Sequence, residues 1–155
     1  MSGHDHHRED PARGGFWSET VVRSPDAGGE WHLGGRWTAS ADGALAWLRD
    51  QALRLATALD PPADASGPFP AAALRRRPAA GWDPGGFFAD WAADHGYQRV
   101  QRAALLAGRP ISVNTRGPDR VCGGPGPPAD VEVLYSLSAR PVPRTLTTRR
   151  LLRSG

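Results

Sequence analysis

Apolar and polar positions recur with two different periods along this chain, and the switches between them mark its elements. Phe16-Trp17-Ser18-Glu19-Thr20-Val21-Val22-Arg23 is rich in aromatic and β-branched residues and reads as a strand. Ser24-Pro25-Asp26-Ala27-Gly28-Gly29 supplies turn chemistry, and in Glu30 to Trp37 the residues Trp31, Leu33, Gly35 and Trp37 occupy alternate positions. The two segments predict an antiparallel hairpin that turns Trp31, Leu33 and Trp37 to one face, which the next element must cover.

The period then lengthens. Ser40 stands where a helix cap is expected, and Leu45, Leu48, Ala52, Leu55 and Leu59 follow at helical spacing, with Arg49, Asp50 and Arg54 between them. Asp60-Pro61-Pro62 ends the run. A leucine fully buried contributes about 1.5–3 kcal/mol, so this stripe and its tryptophan partners are the expected centre of stability. Residues 61–81 form a Pro/Ala linker carrying Arg75-Arg76-Arg77. Asp83-Pro84 has the form of a cap followed by a first-turn proline, and Phe87, Phe88 and Trp91 give an apolar face, predicting a second helix over 84–95. Residues 97–107 fit either helix or strand. Ile111 to Thr115 and Val131 to Leu137 read as strands, the second alternating Val131, Val133, Tyr135 and Leu137, with a long loop from Arg116 to Pro128 between them.

The order β-β-α-α-β-β predicts an α+β fold, an antiparallel sheet covered by two helices, and argues against a parallel nucleotide-binding sheet. Residues 1–15 read as a disordered polar leader, 16–138 as one domain and 139–155 as a basic tail.

Charge sharpens that division. Five of the 19 cations (Arg140, Arg144, Arg149, Arg150 and Arg153) fall in the acid-free tail, leaving 14 against 16 acids in the rest of the chain. All 19 are arginine, which fits a GC-rich coding sequence better than a choice made for recognition. The tail can neutralise phosphates, but it has no aromatic residue to stack a base, so a nucleic-acid role is disfavoured. The single Cys122 excludes an intramolecular disulfide framework and suits a reducing compartment. No apolar run reaches the roughly 18 residues of a membrane span, and no signal-peptide plan opens the chain, so the expected setting is the cytoplasm.

Few residues invite chemistry. With Met1 removed, Ser2-Gly3-His4 offers an amine, two amides and an imidazole to planar Cu(II) or Ni(II), although a solvated leader explains it more simply. His32 and His95 have no partner at metal-ligand spacing. Cys122 is the one conceivable thiol nucleophile and, with the histidines, defines an alternative reading as a small enzyme; the plainer reading is a small apolar residue at a strand end. Gly123-Gly124-Pro125-Gly126-Pro127-Pro128 lacks the amide donors of a phosphate cradle. Neither catalytic residues nor a cofactor are expected.

Six tryptophans in 155 residues exceed what the stripe needs. Trp17, Trp82 or Trp91 is therefore expected at a protein-binding patch, with Asp42, Asp50, Asp90 and Asp94 as exposed contact candidates. The run Gly35-Arg36-Trp37-Thr38-Ala39-Ser40, entering a helix that closes Leu55-Ala56-Thr57-Ala58-Leu59-Asp60-Pro61, resembles immunity protein family 52 of bacterial polymorphic toxin systems. Ile111-Ser112-Val113-Asn114-Thr115, then Cys122-Gly123 and Val131 to Leu137, parallel that family's later strands. The resemblance covers about residues 30–62 and 110–137, and implies a domain that blocks a cognate toxin, often a nuclease, by protein contact without catalysis.

Overall fold

The computed structural model describes residues 14–59, 82–121 and 129–143. Within them the chain runs β1 (Gly15–Ser24), β2 (Gly29–Thr38), α1 (Ala41–Leu59), α2 (Pro84–Ala93), α3 (His95–Leu106), β3 (Ile111–Val121) and β4 (Ala129–Val142). The strands form one antiparallel sheet in the order β2-β1-β4-β3. The α+β fold is as the alternation predicts, with a third helix added. None of the described helices is long and apolar enough to cross a membrane.

The hairpin closes where the turn residues stand. Gly28 takes φ +65°, a left-handed conformation that glycine adopts without strain, and its amide donates to the Pro25 carbonyl at 3.0 Å. Ser40 caps α1 through its hydroxyl, which accepts from the Gly43 amide at 3.0 Å. Ala41, Ala44, Leu45, Leu48, Ala52 and Leu55 are buried, so the stripe forms as its spacing predicts, with Leu59 packed at its margin.

The partners of that stripe are not the expected tryptophans. A β-bulge shifts the β1–β2 register: Thr20 pairs with Gly34 while Val21 pairs with His32, leaving Leu33 as the extra residue. One extra residue reverses the alternation. Trp31 consequently lies opposite Val22 and Trp37 opposite Trp17, on different faces, and Trp31, Leu33 and Trp37 are 45%, 53% and 49% exposed. The face under the helices is built instead from Val133, Tyr135, Leu137 and Ala139 of β4 and Ile111 and Val113 of β3. Phe16 and Val22 of β1 pack at its border.

Two further boundaries move. The segment from Arg116, expected as loop, continues β3: Arg116 pairs with Leu134 and Pro118 with Glu132. Gly117 and Pro118 are tolerated because, among the described residues, β3 has a strand on one side only, so a missing donor can point off the sheet. Similarly, β4 continues through Arg140 and Pro141 to Val142, taking in the first residues of the expected tail.

Ser18 and Thr20, on the face of β1 that α1 covers, are 0% and 1% exposed, and neither hydroxyl has a hydrogen-bond partner among the described residues. An unpaired buried hydroxyl costs about 1–3 kcal/mol. Thr20→Val keeps the shape and removes the hydroxyl, so it is expected to raise stability by about 1 kcal/mol. Urea unfolding should show a higher midpoint at unchanged slope; a lower midpoint would show that the hydroxyl is satisfied in solution.

Candidate functional site

The corner between α2 and α3 rests on one aspartate. Asp94 ends α2, its amide donating to the Asp90 carbonyl at 3.0 Å, and begins α3, its carboxylate accepting from the Tyr97 amide at 2.9 Å. Upstream, the Asp83 carboxylate accepts from the Gly86 amide at 2.9 Å, with Pro84 in the first turn, as Asp83-Pro84 predicts. Downstream, α3 closes on Gly108 at φ +79°, the Arg109 amide donating to Ala104 and the Gly108 amide to Leu105.

What docks α3 is polar. Gln98 and Gln101 are 3% and 4% exposed. Gln98 Nε2 donates to the Trp91 and Ala92 carbonyls at 2.7 and 3.2 Å, satisfying the end of α2, while its Oε1 accepts from Arg49 Nη1 of α1 at 2.8 Å. Gln101 Oε1 accepts from Trp91 Nε1 at 3.0 Å. This network holds the two helices in register with α1. Gln98→Leu leaves two buried carbonyls and Arg49 without that partner, so a loss of about 1–3 kcal/mol is expected in urea unfolding. A change below about 0.5 kcal/mol would mean that solvent replaces the amide.

Against this corner lies a groove of about 420 Å³ lined by Phe87, Asp90, Trp91, Asp94 and Tyr97 on the helices and by Ser112, Val113 and Asn114 of β3. Phe87, Asp90, Trp91 and Asp94 fall within one side of α2 and its cap, and Tyr97 joins them from the first turn of α3 beyond the corner. The structure thus gathers three of the predicted contact residues, Asp90, Trp91 and Asp94, in one place. Trp91 is 6% exposed and contributes wall, whereas Phe87 and Tyr97, at 40% and 51%, are the accessible aromatic surfaces. No cation forms an ion pair with Asp90 or Asp94 among the described residues.

The remaining predicted residues lie elsewhere. Trp82 is half-buried against the sheet, its Nε1 donating to Thr115 Oγ1 at 2.9 Å and its ring stacked on Tyr135 at 6.3 Å. Gly117 lies under that ring, where a Cβ would fall 2.2 Å from it. Trp82 is thereby committed to packing. Asp42, in the first turn of α1, is bonded to Arg102 at 2.7 and 3.2 Å. Asp50 pairs with Arg54 at 3.1 Å and lines a separate hollow of about 360 Å³ with Arg36, Thr38, Gly43, Ala46 and Trp47. His32 lies 3.3 Å from Glu30 on β2, and His95 begins α3, so the two stand on separate elements. Arg140 is exposed in β4. His4, Cys122, Arg144, Arg149, Arg150 and Arg153 lie outside the described residues. Among the described residues no three of His, Cys, Asp and Glu gather where they could hold a metal ion.

Sequence reasoning passed over Phe87, Tyr97, Ser112 and Asn114 as site residues. The signal available was the helical spacing of Phe87, Asp90 and Asp94; Tyr97 joins them only across the α2–α3 corner. A second surface was also missed. On the sheet face away from the helices, the Trp17 ring covers Gly35 and the Trp37 ring covers Gly15, each lying where a Cβ would be 2.5 and 2.4 Å away. Two glycines thus seat two indoles reciprocally across the β1–β2 pair.

No family model, curated protein or solved structure matches the chain.

The Arg102 hydrogen bonds hold the Asp42 carboxyl below its usual value, and Asp42 holds the Arg102 guanidinium above its own. A depressed folded-state value means that the pair's stabilisation is complete above the pH at which a free aspartate titrates, and is lost as pH falls through the lower folded value. The pair is exposed, so Asp42→Asn is expected to lower stability by only about 0.2–1 kcal/mol at neutral pH, with the gap closing in acid below the range in which a free aspartate titrates. Urea midpoints at neutral and acid pH check this; a gap that persists in acid overturns it.

Proposed function

We propose that this chain is a non-catalytic protein-binding domain whose groove at the α2–α3 corner receives a basic side chain of its partner. The observation that carries the reading is the composition of the groove: two carboxylates one helical turn apart, without ion-pair partners among the described residues, beside two exposed aromatic rings. A guanidinium or ammonium entering there meets carboxylate acceptors and ring faces together. Charge-assisted hydrogen bonds are worth about 1.5–3 kcal/mol and a cation over an aromatic face about 0.5–2 kcal/mol. The resemblance to immunity proteins makes the sharper version of this reading, in which the partner is a toxin domain and the basic side chain belongs to its substrate cleft. Ser112 to Asn114, on the β3 side of the groove, fall within the resembling segment.

Co-purification from the native cell, comparing the full chain with the Asp90→Asn/Asp94→Asn variant, tests the reading. The expected result is a protein retained by the wild type and reduced at least about tenfold by the variant, with retention falling as salt rises. Equal retention by both forms would refute the groove as the binding site.

A further inference from the structure

The groove runs along the edge of the sheet, and the backbone there is oriented. Glu132 of β4 turns both its main-chain groups towards the β1 side: its carbonyl accepts from Ser24 Oγ at 2.8 Å and its amide donates to Asp26 Oδ2 at 3.1 Å. Glu132 therefore faces away from β3, and Pro118, which it opposes, sits in a non-hydrogen-bonded pair with its nitrogen directed off the sheet. Alternation carries the same orientation to Arg116, Asn114 and Ser112, while Val113 and Thr115 bond to β4. Pro141 agrees independently. It has the parity of the β4 residues that bond β3, but lies beyond Ile111, where β3 has ended, so its missing donor breaks no rung.

Ser112 and Asn114 thus present unused main-chain donors and acceptors along the groove, with no other backbone bond among the described residues. We propose, resting on the groove reading above, that the partner binds as an added antiparallel strand on β3 and carries an arginine or lysine opposite Val113. The residues flanking that cation then pair with Ser112 and Asn114, and their side chains fall on the open face. The cation itself points to the helix side, where Asp90, Asp94, Phe87 and Tyr97 stand. Pro118 and the Arg116–Glu132 ion pair end the pairing on one side.

Charge complementarity selects this occupant over β3–β3 pairing with a second copy. The β3 side chains that face the helices are Ile111, Val113 and Thr115, with Gly117 beyond them, so a second copy's β3 would bring no cation to the two aspartates.

The test uses the full chain and a labelled octapeptide of alternating threonine and valine in which arginine replaces a central valine. Fluorescence anisotropy should show binding that falls at least about tenfold when the two residues flanking the arginine are N-methylated, and about tenfold with Asp90→Asn/Asp94→Asn. Amide exchange followed by NMR should find Ser112 and Asn114 fast and Val113 and Thr115 slow in the free protein, with peptide protecting the first pair. Binding that needs the aspartates but ignores N-methylation removes strand addition and leaves the groove reading standing. Binding indifferent to both changes, or no binding of the arginine peptide at millimolar protein, overturns both. Protection of Ser112 and Asn114 in the protein alone, growing with its concentration, assigns the edge to a second copy and overturns the proposal.

Discussion

The burial of one face of α1 is the constraint on which the other elements depend. Its alanine and leucine stripe meets β1, β2 and β4 on one side and α2 and α3 on the other. Small residues at Ala44, Ala52, Ser18 and Thr20 let helix and sheet approach closely, and the buried hydroxyls without partners are a cost of that approach. With Leu48 and Leu137 both fully buried, the interface is apolar enough to carry it.

The three described helices consequently lie on one side of the sheet, and what they leave uncovered follows from that. Among the described residues the far face is covered by its own side chains, and the reciprocal seating of Trp17 and Trp37 over Gly35 and Gly15 does this for the β1–β2 pair. Arg23 with Glu30 and Arg116 with Glu132 add exposed ion pairs on the same face, each worth little alone. The Trp82 ring performs the corresponding task on the helix side, closing over Gly117 where β3 passes beyond the helices.

Much of this was legible in the sequence, for identifiable reasons. The α1 stripe, the Ser40 and Asp83 caps, the hairpin turn and the Val131 to Leu137 alternation are local signals, and each forms where its residues stand. The helix α3 was ambiguous because its buried positions are Gln98, Gln101 and Leu105: the docking surface is mostly amide, and apolar periodicity cannot register it. The facing of Trp31 and Trp37 is not legible in the alternation, because a bulge is fixed by pairing between strands and not by the bulged strand itself. The strand character of Arg116 to Val121 was hidden by Gly117 and Pro118, whose propensities are overridden at an edge bonded on one side. As for the groove, Asp90, Trp91 and Asp94 were visible as residues of one helix; Ser112 and Asn114, nearly twenty positions on, join them only through tertiary folding.

The sheet's two edges are treated differently, and the difference bears on where a partner meets this domain. Along β2 the bulge at Leu33, with Gly34 and Gly35 beside it, disturbs the regular array of backbone groups that an incoming strand needs. Along β3 the protective features cluster towards one end, at Arg116, Gly117 and Pro118. The stretch from Ile111 to Thr115 carries neither proline, charge nor glycine and keeps unbroken register with β4. It is also where the α2–α3 ridge forms a wall beside the edge. An open edge is ordinarily an aggregation liability, which unselective covering would remove. Here the neighbouring wall carries carboxylates and ring faces, so an incoming strand is discriminated by its side chains as well as its backbone. An apolar strand would desolvate the Asp90 and Asp94 carboxylates without bringing a counter-charge, whereas a strand with one basic residue in register supplies it, and selectivity comes from that difference.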